Sequence, residues 1–125
     1  MNKSTVCILG ASDKPQRYAH MAWRMLKDEG YSTLLVSPRL KEIEGQKVFA
    51  GLAEAEVQSQ TPHTITMYVG PEISSKLAAE ILSLKPKRVI FNPGSENPIL
   101  AKQLMESGIE VLEACTLVLL RTKQF

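Results

Sequence analysis

Five short runs of four to six residues, apolar nearly throughout, alternate along the chain with segments whose apolar residues recur at helical spacing. That alternation restricts the fold more than any other feature. Thr5–Leu9 (TVCIL), Thr33–Val36 (TLLV), Thr64–Val69 (TITMYV), Arg88–Phe91 (RVIF) and Ile109–Leu112 (IEVL) read as strands. They are continuous rather than alternating, the pattern of strands buried on both faces of a parallel sheet. Arg17–Glu29 reads as a helix, with Tyr18, Met21, Ala22, Met25 and Leu26 on one spacing and Gly30 as its stop. Glu72–Leu84, closed by Lys85-Pro86, and Pro98–Ser107, closed by Gly108, read the same way. Between Ser37-Pro38 and the third run the chain is irregular apart from a helical turn near Leu52–Glu56. The last apolar run, "CTLVLL", fits a strand or a short helix, with the helix favoured. Strands alternating with helices imply βαβ units with right-handed crossovers. The predicted fold is α/β, a three-layer doubly wound parallel sheet of five strands in the order 3-2-1-4-5. Its topological switch then lies between the first and fourth strands.

The 125 residues suit one domain, 1–125. A formal charge of +2 without a basic stripe argues against nucleic acid. No apolar run approaches the ~18 residues of a membrane span. The opening "MNKSTVC" has no stretch suited to a signal peptide, so a cytoplasmic location and no membrane partner are expected. Cys7 and Cys115 show no metal-ligand spacing, and a disulfide is not expected in such a compartment. His20 and His63 read as structural or solvated, and no metal site is expected.

Ligands of this architecture sit beyond the carboxyl ends of the strands, at the switch point. The first run stops in Gly10-Ala11-Ser12 and is followed by "DKPQR" and a helix start. Free N–H groups and the positive end of a helix dipole attract an anion there, most simply a phosphate. Gly10 permits the turn, Ala11 and Ser12 leave the backbone approachable, the Ser12 hydroxyl can donate, and Lys14 and Arg17 add charge. The dinucleotide fingerprint G-x-G-x-x-G is broken, because Ser12 and Pro15 stand at its second and third glycine positions. The second strand ends in Ser37-Pro38-Arg39, without the carboxylate that grips a ribose 2′-hydroxyl. An arginine there suits a phosphate on the ribose, as in NADP or coenzyme A.

With these residues in view the chain resembles the small single-domain CoA-binding proteins, the Rossmann-like family related to the N-terminal domain of the succinyl-CoA synthetase alpha subunit. "VCILGASDKPQR", "TLLVSPR", "IEGQKVFAGLAE", "RVIFNPGSENP" and "GIEVLEACTLVLLRTKQF" match the family in order and cover essentially the whole chain. Ser37 stands where the family commonly has asparagine. "MYVG" lacks its Phe-Arg, and Asn92-Pro93-Gly94 replaces a Gln-x-Gly pattern. The synthetases carry a phosphorylated histidine in a separate domain, and no residue here matches it. The resemblance implies a nucleotide-binding protein that takes coenzyme A or acyl-CoA as ligand.

The remaining candidates follow from position. Tyr68 and Val69 end the third strand, where Tyr68 either flanks an adenine ring or packs in the core. Asn92, Pro93 and Gly94 should form the second wall of the site, with Gly94 at positive φ and Ser95 or Asn97 capping the next helix at Pro98. Trp23 reads as a packing or subunit-interface residue, and Cys115 as a buried or redox-modifiable thiol. Glu96, Glu110 and Glu113 read as solvated charges. No catalytic set is evident, so a non-catalytic regulatory or carrier module for CoA is expected. The alternatives are an NADP-binding oxidoreductase or redox sensor, and a subunit-like partner of a larger acyl-CoA enzyme. "CTLVLL" would then serve as an interface, and a homodimer is left open.

Overall fold

The protein is described from a computed structural model covering residues 4–58 and 61–125, with the side chains of 56–58 left aside. Met1–Lys3 of the opening segment lie outside the described residues. The elements run β1 (Thr5–Leu9), α1 (Tyr18–Asp28), β2 (Ser32–Val36), β3 (Glu42–Ile43), β4 (Gln46–Phe49), α2 (Leu52–Gln58) and β5 (Thr64–Met67). They continue α3 (Pro71–Lys76), α4 (Ala78–Leu84), β6 (Arg88–Phe91), α5 (Pro98–Glu106), β7 (Glu110–Glu113) and α6 (Thr116–Arg121).

The sheet order is β3-β4-β2-β1-β5-β6-β7, parallel throughout except for the short antiparallel pair β3–β4. Alternate residues of each strand feed two different cores, which is why the runs are apolar without alternation. Cys7 and Leu9 of β1 join Val36, Ile65, Met67, Phe91, Leu100 and Leu104 on one face. Val6 and Ile8 join Leu35, Val48, Trp23, Leu26 and Leu120 on the other. The three-layer doubly wound class therefore stands.

The strand order needs a correction. The predicted order placed the TITMYV strand beside TLLV and RVIF beside TVCIL. Instead β5 is the direct neighbour of β1, paired from Val6↔Thr64 to Leu9↔Met67. The place beside β2 belongs to β4, paired through Leu35↔Val48 and Val36↔Phe49. β4 gives little strand signal in the sequence because "QKVF" is short and half polar, as an outer strand can be. Counted with β4, the six parallel strands take the order 3-2-1-4-5-6 of doubly wound folds. The switch point thus lies between β1 and β5, not between β1 and β6.

Smaller departures have local causes. The helix predicted over 72–84 is broken at Leu77 (φ −99, ψ 2) into α3 and α4, and it ends at Lys85 in a left-handed conformation (φ 51) before Pro86. "CTLVLL" is a helix, as favoured. Leu117 and Leu120 are buried in the chain's own core, which leaves Val118 as its exposed large apolar residue. Trp23 is a core residue. Among the described residues no helix is long and apolar enough to cross a membrane.

Gly10 has φ +95, and a Cβ built on it would lie 2.9 Å from Val69 Cγ1 and 3.0 Å from the Tyr68 carbonyl carbon and oxygen. Gly10→Ala should therefore lower stability by about 1–3 kcal/mol through backbone strain and this clash. A urea-denaturation midpoint unchanged from wild type would refute the assignment.

Candidate functional site

The carboxyl ends of β1, β2 and β5 open into a cleft of about 540 Å³. That is within the usual range for a small-molecule site. Its lining gathers residues from separate turns: Gly10, Ala11, Ser12, Lys14 and Arg17 after β1, Ser37 and Arg39 after β2, Tyr68 after β5 and Pro93 after β6. These nine residues named from the sequence come together there. Four others that line it were not: Asp13, Tyr18, Ala19 and Leu40.

Tyr18 and Ala19 line the cleft for a reason visible at the helix start. Arg17 is the N-cap residue, extended at φ −80 and ψ 143, and its carbonyl already accepts from His20 and Met21. The first-turn amides of Tyr18 and Ala19 are the donors left without a helical carbonyl. The predicted start at Arg17 is one residue too early to show this. The turn itself is less open than the sequence implied. Gly10 N–H and Ala11 N–H both donate to the Val36 carbonyl at 3.0 Å, so the backbone donors that face the cleft begin at Ser12. Ser12 Oγ accepts from Lys14 N–H at 3.1 Å, which leaves the hydroxyl hydrogen free to donate outward.

Lys14 and Arg17 on one side and Arg39 on the other outnumber Asp13, so the cleft is cationic. Ser37 is nearly buried, and its N–H reaches across to the Phe49 carbonyl at 2.9 Å. Pro38 and Val69 flank the cleft without lining it, and Val69 instead packs against Gly10. Tyr68 does two things at once, lining the cleft while packing on the core cluster of α1 and α6. Its hydroxyl is buried beside those of Thr66 and Thr116 without a well-shaped hydrogen bond to either. Burial pushes its pKa up to about 12 against the smaller opposing pull of those two hydroxyls.

The loop after β6 departs most from its predicted place. With the switch at β1/β5, this loop lies one strand farther out, and Pro93 is its contribution to the cleft. Asn92 is buried, and its side chain is committed within the chain. Nδ2 donates to Thr66 Oγ1 and to the Met67 carbonyl, and Oδ1 accepts from Thr116 N–H, each at 2.8 Å. Gly94 has the expected positive φ of 92, and its N–H donates to Glu96 Oε1 at 2.9 Å. Asn97 rather than Ser95 caps α5, accepting from Leu100 N–H at 3.1 Å with Pro98 in the first turn.

The two thiols differ in setting. Cys7 is fully buried in β1, and burial pushes its pKa up to about 12, which removes it as a nucleophile. Cys115 is half-buried at the start of α6. His63 Nδ1 lies 2.9 Å from Thr64 Oγ1. His20 is buried with Nε2 2.9 Å from Glu44 Oε2.

A doubly wound sheet whose switch-point cleft is cationic and adjoins a helix N-terminus has the layout of a Rossmann-like nucleotide-binding domain. More particularly, the chain belongs to the CoA binding domain family, whose sequence profile matches residues 4–121. It is similar to an uncharacterized protein of known crystal structure, 36% identical with a TM-score of 0.84, covering 100% of both chains. A Thermus thermophilus protein structure is 30% identical with a TM-score of 0.86, covering 98% of this chain and 90% of that one. A dinucleotide-forming acetyl-coenzyme A synthetase of Ca. Korarchaeum cryptofilum shares the fold at 17% identity and a TM-score of 0.72, over 90% of this chain and 26% of its own. Among curated proteins, the uncharacterized Bacillus subtilis protein YneT is 33% identical over 51 residues, which span 38% of its length and 41% of this chain.

Asn92→Ala removes three buried hydrogen bonds and strands the Thr116 amide. A loss of about 1–3 kcal/mol or more in unfolding free energy is expected. A melting temperature equal to wild type would show that the network is dispensable.

Proposed function

We propose that this domain holds coenzyme A, or a short acyl-CoA, in the β1/β5 cleft as a non-catalytic binding module with a regulatory or carrier role. The observation that carries the reading is the convergence of Lys14, Arg17 and Arg39 on one cleft beside the open amides of Tyr18 and Ala19. Membership of the CoA binding domain family supports the choice of ligand. In this reading the 5′-diphosphate lies on Ser12, Lys14 and the start of α1, where backbone donors and cations act together. Arg39, leaving β2, meets the 3′-phosphate of the adenosine. Tyr68 and Pro93 form the floor and far wall, along which the pantetheine arm leaves. The lining supplies groups that hold phosphate rather than an acid/base pair. Asp13 is its one carboxylate among the described residues.

The test is a thermal-shift panel of CoA, acetyl-CoA, dephospho-CoA, NAD and NADP. A ligand bound by the native state alone adds about 2.7 kcal/mol of stability at a hundredfold excess over its dissociation constant. CoA and acetyl-CoA should raise the transition most. A shift with NADP and none with CoA would favour the oxidoreductase reading instead.

By calorimetry, Lys14→Ala and Arg17→Ala should each weaken CoA about tenfold to a hundredfold, since each removes a charge-assisted contact. Arg39→Ala should abolish the preference for CoA over dephospho-CoA. Equal binding of those two ligands by wild type would remove Arg39 from the site.

A further inference from the structure

The hairpin β3–β4 joins the two walls of the cleft, and it does so with side chains that packing alone does not require. It continues directly from the Ser37–Leu40 segment that carries Arg39 and Leu40 to the cleft. Its two-residue turn, Glu44-Gly45, has positive φ at both positions (48 and 87), as a tight hairpin needs. Glycine suits such a position and glutamate does not, whereas asparagine would be tolerated at lower cost. The glutamate stands there with its carboxylate on α1. Oε2 lies 2.9 Å from His20 Nε2 and 3.7 Å from an Arg24 guanidinium nitrogen.

The next residue fastens the hairpin a second time. Gln46 Oε1 accepts from Trp23 Nε1 at 3.1 Å, and Gln46 Nε2 donates to Thr33 O and Thr33 Oγ1 of β2, each at 3.0 Å. His20 and Trp23 are both 1% exposed, and their rings meet edge to face at 5.2 Å. They lie three and six residues after Arg17, in the first two turns of the helix whose start lines the cleft. At its other end the segment is closed by Ser37 N–H to Phe49 O and Val48 N–H to Lys41 O, both at 2.9 Å. The Arg17 wall and the Arg39 wall are thus tied through Glu44 and Gln46. Glu44 is itself half-exposed, with a side chain 49% accessible.

We infer that the Glu44–His20 pair is a clip that sets the spacing of the two cationic walls, and that it thereby tunes the preference for an adenosine ligand phosphorylated on both its 5′ and 3′ sides. A ligand that offers phosphate to one wall alone gains less from that spacing than one that engages both. The ligand assignment rests on the proposed function, while the clip itself rests on the geometry above.

Glu44→Asn separates the clip from folding, because asparagine favours the turn but is too short to reach His20. Its melting temperature should stay close to wild type, the relaxed turn offsetting the hydrogen bond lost at buried His20. Its CoA affinity should fall about threefold or more while dephospho-CoA is held nearly as before, so the ratio of the two narrows. Glu44→Gln, which can still accept from His20 Nε2, should restore most of the ratio. The emission of Trp23, the single tryptophan, should respond to CoA in wild type and less so in Glu44→Asn. Without ligand, hydrogen exchange of the Ser37 and Val48 amides, which close this segment, should quicken in Glu44→Asn. A wild-type CoA to dephospho-CoA ratio retained in Glu44→Asn would overturn the inference. If wild type binds no CoA, the cleft reading falls on that result alone. Exchange at the Ser37 and Val48 amides then decides the clip, and unchanged rates would overturn it.

Discussion

The Val36 carbonyl accepts two successive amides, Gly10 and Ala11, at 3.0 Å each, and the cleft is organised around that fork. It pulls the exit of β1 toward β2. The same step presses Gly10 against the β5 exit, close enough that a single methyl group would collide with Tyr68 and Val69. On the other side Tyr68 N–H is held by the Leu9 carbonyl at 2.8 Å. The three strand ends are thereby locked at one spacing, and the chain beyond Ala11 has one way to go, outward over the cleft. Only after the fork do Ser12, the cations and the first amides of α1 become available to a ligand.

Behind the cleft, polar side chains do what apolar packing cannot. Thr66 and Thr116 are fully buried and share a hydrogen bond of 2.7 Å, and Asn92 joins both to the backbone of β5 and α6. A buried polar group with directional partners permits one register, where leucine against leucine would permit several. Asn97 acts likewise farther out. It caps α5 with its oxygen while its amide donates to Ser74 Oγ at 2.8 Å and Ser75 Oγ at 3.0 Å, fixing α3 against α5. Asn92, expected from the sequence on the second wall of the site, lies behind the cleft as part of this support.

Much of the cleft was legible because its chemistry is local. A strand ending in Gly10-Ala11-Ser12 and followed by cations marks a cationic turn within a dozen residues, and Arg39 declares itself by following the next strand. Tyr18 and Ala19 were missed by the width of a helix cap. Leu40 and Asp13 carry no signal of their own, since a leucine or aspartate on a loop is ordinary. β4 was missed because "QKVF" has too little apolar character to read as a strand, and its pairing with β2 exists only once the sheet has formed. Without β4 the predicted switch point falls one strand too far out, so Asn92 is expected on the cleft wall, whereas it lies in the protein interior behind it.

The sequence by itself determined the class of fold, its two-sided sheet, the tight turn at Gly10, the positive φ of Gly94, and the cationic turn after β1. Each of these follows from the short-range periodicity of apolar residues or from the steric freedom of a single glycine. The tertiary structure decided which strand lies beside which, that Asn92 faces inward, and that Glu44 reaches back to His20 across 24 residues. Such facts depend on contacts between segments distant along the chain. No local propensity encodes those contacts, and they are settled by whichever pairing leaves the fewest buried polar groups without a partner.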